Sequence, residues 1–217
     1  LNKEDKNEEA INYLRESFLD IENPKAYELF DYAKFLRNNE LFQDSIKYYS
    51  KLIKIINEDH SLYGKALDGR GVAYERIGKW KKAEIDLLDS LKISPDDAYV
   101  INYLAYSWIE KGINIDKSLK MLKKANQLMP NDGYIIDSLG WALFKLKKYK
   151  ESKKYMQLAV RLMASDPVIN DHFADVLWKN NKTLQARYYW NYVLKLEKTE
   201  DELKKKIEKK LLFGLKS

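Results

Sequence analysis

The chain has 217 residues, of which 45% are hydrophobic and 33% charged, and its net charge is +6. A buried core is feasible, but 4 Pro and 8 Gly are too few for the many turns of an all-β sandwich or barrel. Cysteine is absent, which excludes a disulfide framework, a thiol nucleophile and a Cys-ligated metal site.

Charge divides the chain unevenly. Residues 1–63 contain 9 Lys and Arg against 13 Asp and Glu, whereas residues 64–217 contain 30 against 20. A basic C-terminal portion could meet nucleic acid, an acidic protein or anionic lipid. Lys and Glu interleave instead of forming blocks of one sign, which is typical of solvated helix faces.

The first 63 residues predict three helices. Leu14, Phe18 and Ile21 form an amphipathic stripe within residues 1–25, which we interpret as the remnant of a truncated repeat. Residues 26–63 predict a degenerate helix pair, and its second helix is expected to be extended through Ile55 and Ile56.

From residue 64 onward, small residues recur at one period. Gly71, Ala105, Gly140 and Ala174 are spaced 34, 35 and 34 residues apart, and a second column comprises Ala83, Ser118, Ser152 and Ala186. A period of 34 to 35 residues indicates stacked helix pairs, with the small residues where two helices cross closely. The predicted units are 64–97, 98–132, 133–166 and 167–200, followed by a capping helix at 201–217 with a polar outer face.

The columns of the first full unit resemble the tetratricopeptide repeat (TPR) family. They comprise Leu67, Gly71, Tyr74, Gly78, Trp80, Ala83, Leu87 and Pro95. The last unit departs from the family pattern at Asn170, Asn181 and Lys198, where an apolar residue, Gly and Pro are expected. The resemblance implies an all-α, right-handed superhelical solenoid of antiparallel helix pairs.

Residues able to carry chemistry are sparse. His60 and His172 are the only histidines, and neither has a second His or Cys at the spacing of metal ligands. Gly69 and Gly71 lie inside a helical pattern and do not follow a strand, so they do not form a dinucleotide-binding loop. We therefore expect no catalytic activity, no cofactor and no metal site.

Binding has better support. In the TPR family the first helix of each unit lines a concave groove, and its groove positions in this chain are rich in aromatic and acidic residues. The predicted partner-binding residues are Tyr99, Asn102, Tyr106, Glu110, Tyr134, Asp137, Trp141, Phe144, Asp171, Asp175 and Trp178. Aromatic side chains dominate interface hot spots. We expect Trp141 to lie outside the core and to anchor a partner peptide or helix, with the acids favouring a basic segment.

Residues 102–107, 132–141 and 166–172 are similar to a narrower group of exported proteobacterial TPR proteins, some of them outer-membrane lipoproteins. One branch includes the adaptor of a periplasmic carboxyl-terminal processing protease. The resemblance implies a periplasmic or outer-membrane-associated scaffold or adaptor, with any membrane attachment through a lipid anchor outside this sequence. A cytoplasmic location is the alternative.

Two other functions remain open at this stage. The basic C-terminal portion could bind nucleic acid or an anionic membrane, although acids among the groove aromatics repel phosphate, so we expect no binding to nucleic acid. The chain could also be the regulatory TPR portion of a larger enzyme.

Overall fold

The computed structural model describes residues 3–215, with the side chains of residues 3–8, 10 and 19 left undescribed. Residues 1, 2, 216 and 217 of the two predicted terminal segments lie outside this range. Within residues 3–215 the chain forms twelve α-helices and no strand. The all-α prediction is confirmed.

The helices belong to two compact units, Leu1–Pro95 (unit 1) and Asp96–Ser217 (unit 2). The helices of unit 1 are α1 (Lys3–Leu19), α2 (Ala26–Asn38), α3 (Phe42–Ile55), α4 (Tyr63–Arg76) and α5 (Trp80–Ile93). Those of unit 2 are α6 (Ala98–Glu110), α7 (Ile115–Leu128), α8 (Gly133–Lys145), α9 (Tyr149–Leu162), α10 (Pro167–Lys179), α11 (Thr183–Val193) and α12 (Asp201–Phe213).

Each first helix in unit 2 starts at an aspartate. The carboxylates of Asp97, Asp132 and Asp166 each accept hydrogen bonds from two backbone N–H groups of the first turn. Such N-caps satisfy donors that the helix itself leaves unpaired. Asp97 and Asp132, which follow Pro95 and Pro130 by two residues, therefore mark the starts of α6 and α8.

Each helix pair is joined by the same tight turn. One residue of each turn has positive φ, and a backbone N–H just after it bonds to the carbonyl five residues earlier, as in a Schellman motif. Gly occupies this position twice, and the other turns use non-glycine residues. The five residues are Glu40 (φ 62), Gly78 (φ 75), Gly112 (φ 69), Lys147 (φ 60) and Asn181 (φ 59). Asn181 thus keeps the turn although it departs from the family pattern.

The small-residue columns mark close crossings of paired helices. The Ser152 hydroxyl of α9 donates to the Gly140 carbonyl of α8 at 2.7 Å, and Ser45 of α3 donates to the Ala33 carbonyl of α2 at 2.9 Å. An ideal Cβ added at Gly140 would lie 3.0 Å from Met156 Cγ. A larger side chain at this column would push the two helices apart.

The predicted extension of the second helix in residues 26–63 is wrong. Helix α3 ends at Ile55 and has 14 residues, the length of α5, α7 and α9. Ile56 is extended at ψ 156, and the extra residues of this unit form the loop that leads to α4. In the last repeat, the departing residue Asn170 is fully buried, and its Nδ2 donates to the carbonyls of Ala164 and Asp166.

Candidate functional site

The predicted groove residues lie on α6, α8 and α10, the first helices of the three pairs in unit 2. We call these residues the first-helix row. The structure separates them by exposure. Tyr99 and Tyr134 are 58% and 52% exposed, and Glu110 is also exposed. The half-buried members are Asn102, Tyr106, Phe144 and Trp178, and the buried members are Asp137, Trp141, Asp171 and Asp175.

Trp141 belongs to the core, so the prediction that it lies outside the core is wrong. Its side chain is 8% exposed, and the indole stacks on His172 at 3.9 Å and on Phe144 at 4.7 Å between ring centroids. Its Nε1 donates a hydrogen bond to the Glu110 carboxylate. The indole therefore packs against His172 of α10, the next first helix. The sequence instead predicts contact between this surface of Trp141 and a partner protein.

Acids of the row pair with residues of the next first helix. Asp137 on α8 lies 3.0 Å from Nδ1 of His172 on α10, and Glu110 on α6 lies 3.4 Å from Nζ of Lys145 on α8. Burial lowers the pKa of His172, but the charge and hydrogen bond of Asp137, together with the charges of Asp171 and Asp175, outweigh burial, so the net pKa is raised. These acids thus serve first as contacts between repeats.

Helix α12 closes the C-terminal end of the row. Lys210 Nζ lies 2.7 Å from Asp171 Oδ1 and 2.8 Å from Asp175 Oδ1, and the Trp190 indole donates to Asp175 at 3.1 Å. Burial and the charge of Asp171 raise the pKa of Asp175 to about 6, although Lys210 opposes the shift.

The apolar side of α12 completes this closure. Ile207 is fully buried in the core of unit 2, and Leu203, Leu211 and Leu215 pack against that core. Gly214 lies so close to the indole of Trp178 that a side chain at this position would clash. The last part of the predicted groove is therefore occupied by the chain itself.

The sequence favours helix packing or an inter-repeat hydrogen bond for His172, and the structure shows both, on Trp141 and with Asp137; Lys210 is the member of this network that the sequence analysis missed. His172 and Lys210 both follow their acidic partner by one repeat, because His172 comes 35 residues after Asp137 and Lys210 comes 35 after Asp175. A cation spaced one repeat after an acid in the same column is the signal that could have found Lys210.

The open part of the row lies on α6 and on the N-terminal half of α8. Tyr99 OH donates to the Asp132 carboxylate at 3.2 Å, and its ring remains exposed. Burial raises the pKa of Tyr106, with Glu110 adding to the shift. Among the described residues, the buried Oδ1 of Asn102 has no hydrogen-bond partner.

The described residues contain no group of three or more His, Cys, Asp or Glu arranged to hold a metal ion. None of the helices between residues 3 and 215 is long and apolar enough to cross a membrane. The arrangement supplies aromatic surface, amide groups and carboxylates, which suit non-covalent binding.

Curated proteins with sequence similarity include one bacterial and one human protein. The TPR repeat-containing protein PA4667 of Pseudomonas aeruginosa is 26% identical over 128 residues, which are 59% of this chain and 21% of that protein. Human aspartyl/asparaginyl beta-hydroxylase is 25% identical over 163 residues, 72% of this chain and 21% of that protein. The chain thus spans about a fifth of the length of either relative.

Solved structures agree on the fold. TTC0263, a thermophilic TPR protein of Thermus thermophilus, matches with a TM-score of 0.71 at 14% identity, over 87% of this chain and 100% of that one. The pilF protein of Pseudomonas aeruginosa matches with a TM-score of 0.67 at 18% identity, over 92% and 85%.

The tetratricopeptide repeat family model matches residues 1–199. With helix pairs at the repeat period, a recurring turn and small residues at each crossing, the chain belongs to the tetratricopeptide repeat family.

Proposed function

We propose that this chain is a non-catalytic protein-interaction scaffold whose concave groove in unit 2 holds a peptide or helix of a partner protein. TPR proteins in general act as interaction scaffolds and are generally non-catalytic. The partner contacts are assigned to the open part of the first-helix row, around Tyr99, Asn102, Tyr106 and Tyr134.

The observation that carries this proposal is the docking of α12. An amphipathic helix places Lys210 between two buried acids of the row and its apolar residues on the core of unit 2. Aromatic surface continues along α8 and α6, where Tyr134 and Tyr99 are more than half exposed. The chemistry of α12 therefore indicates the class of occupant: an amphipathic segment with a basic residue.

Site-specific photo-crosslinking tests the proposal even while the partner is unidentified. A benzoylphenylalanine placed at Tyr99 or Tyr134 in the full chain should capture the same protein in cells. Because both side chains are exposed, the replacement should leave folding intact. Tyr13, 70% exposed on α1 of unit 1, is the matched control and should not capture that protein.

Three results would contradict the proposal: capture of one protein equally at Tyr13, capture at neither test position, or crosslinks to nucleic acid alone. The first would mean non-specific contact, the second an unused groove, and the third a different class of partner.

The proposal extends to location. Similarity of residues 102–107, 132–141 and 166–172 to exported proteobacterial TPR proteins supports a periplasmic or outer-membrane-associated adaptor, with a periplasmic protease as partner. Fractionation of cells expressing the natural gene tests this, because recovery in the cytoplasm would contradict it.

A second candidate is a regulatory TPR portion of a larger enzyme. It is favoured by the two relatives, of which this chain spans about a fifth, and one of which is named as a hydroxylase. An immunoblot of the natural protein near 25.7 kDa, the mass of this chain, would contradict it.

A further inference from the structure

A pocket of about 420 Å³ opens between the second helices α9 and α11, on a different set of residues from the first-helix row. Its floor is apolar, since Val160, Phe173 and Leu177 are only 9%, 5% and 2% exposed. Lys153 and Arg161 lie at its rim. The volume falls within the range of about 300–1,000 Å³ that is usual for ligand pockets.

The repeat pattern explains why a pocket exists at this place. One repeat earlier, the position that corresponds to Lys153 is Leu119, which is 9% exposed and part of the core of unit 2. A lysine at this position supplies a long, charged side chain whose ammonium group stays near water. The space that a leucine would fill therefore stays open above Phe173 and Leu177, which form a nearly buried floor.

The surface around the pocket is basic. The two second helices that line the pocket are poor in acids, since α9 carries one, Glu151, and α11 carries none. Their basic residues are Lys150, Lys153, Lys154 and Arg161 on α9 and Arg187 on α11.

The rim cations are not neutralised locally. No Asp or Glu lines the pocket, and neither Lys153 nor Arg161 has an ion-pair partner within residues 3–215. A positive rim around an apolar floor is complementary to an anionic ligand that carries one apolar side chain.

We propose that this pocket binds an acidic segment of a partner protein, with one side chain of phenylalanine or leucine size inserted against Phe173 and carboxylates on Lys153 and Arg161. The site goes beyond the proposed groove because it lies on the second helices and takes a ligand of opposite charge. A chain with both sites could hold a basic segment on one face and an acidic segment on the other.

The depth of the floor favours a peptide over a nucleic acid. A nucleobase binds best on an exposed flat ring, and Arg or Lys then tracks the phosphates. Here the ring on the floor, Phe173, is nearly buried and meets Tyr189 edge to face, with centroids 4.8 Å apart, whereas Tyr188 is the exposed ring of the lining. An inserted side chain fits this geometry better than a stacked base.

Fluorescence anisotropy on the full chain tests the pocket. The probe is a fluorescein-labelled decapeptide in which Asp and Glu surround one central Phe. The double variant K153E/R161E should bind it at least about tenfold more weakly, since two contacts at a hot spot are reversed in charge. K150E/K154E is the matched control: it makes the same charge change on exposed positions of α9 that do not line the pocket.

Replacing the central Phe of the probe by Ala should also weaken binding about tenfold, whereas the control variant should change it less than about threefold. Equal losses in the two double variants would reduce the effect to general charge attraction and overturn the proposal. Undiminished binding of the Ala probe would do the same. Displacement of the probe by oligo-dT at a lower concentration than unlabelled peptide would assign the surface to nucleic acid instead.

Discussion

Trp141 shows that a groove position of the repeat can be filled by a core residue. Its column in the repeat is a groove position, yet the side chains beside it decide its exposure. Because the rings of His172 on α10 and Phe144 on α8 stack on the indole, the side chain is largely removed from water. The sequence identifies the repeat position of Trp141, but it does not show which side chains pack against the indole.

Trp141→Ala should therefore lower the free energy of unfolding by about 3 kcal/mol, as usual for a large aromatic removed from a core. Urea denaturation at constant pH measures this change. Tyr134→Ala on the same helix is the control and should cost less than about 1 kcal/mol, because the ring is 52% exposed. If the urea midpoint of Trp141→Ala equals that of wild type, Trp141 does not stabilise the core and its prediction as a groove residue stands.

His172 predicts that stability falls as pH rises through neutrality. Its pKa is raised in the folded chain, so its protonated form stabilises the fold fully below the unfolded pKa of about 6.5, and this stability is lost as pH passes the folded pKa. The charged groups facing it are Asp137 on α8, Asp171 and Asp175 on α10, and Lys210 on α12.

Asp175 acts in the same direction at lower pH. Its pKa is about 6 in the folded chain and about 3.9 when unfolded, so its ionisation destabilises the fold progressively between these two values. We expect urea midpoints to decrease from pH 6 to pH 8.5, and His172→Gln to flatten this slope. His60→Gln, in unit 1, is the control. A His172→Gln slope as steep as that of wild type would show that His172 does not couple to folding.

At the scale of elements, most of the helix pattern could be predicted and the closure by α12 only in part. Apolar periodicity, Asp N-caps and small residues are local signals, so they locate the pairs. A polar outer face on residues 201–217 is also visible in the sequence. The contact of Lys210 with Asp171 and Asp175 spans about one repeat, so the periodicity within a single helix does not reveal it.

Lys210→Met should destabilise unit 2 because two buried carboxylates lose their cation. Removing one partner of a buried ion pair costs about 3–5 kcal/mol, and protonation of Asp175 below pH 6 should recover part of this loss. Lys204→Met removes an exposed lysine paired with Asp201 on the same helix and should cost at most about 1 kcal/mol. Equal midpoints for the two variants at pH 8 would mean that the Lys210 cluster adds nothing to stability.

For the whole molecule, the division into two compact units determines how far a local defect spreads. Stability in repeat proteins is a sum of repeat terms and nearest-neighbour terms, so damage should stay close to its origin. Gly71 in unit 1 and Gly140 in unit 2 occupy the same column. An added Cβ would meet Leu87 Cγ at 3.0 Å in the first case and Met156 Cγ at 3.0 Å in the second.

Gly71→Leu and Gly140→Leu should each destabilise the chain by about 1–3 kcal/mol through overpacking, after the roughly 1 kcal/mol gain in helix propensity offsets part of the strain. Hydrogen exchange resolved along the chain should separate the two variants. Gly71→Leu should accelerate exchange mainly in α4 and α5, and Gly140→Leu mainly in α8 and α9, so each variant serves as the control for the other. If both accelerate the same amides across residues 3–215, the units unfold as one cooperative body and stability is not local to the repeats.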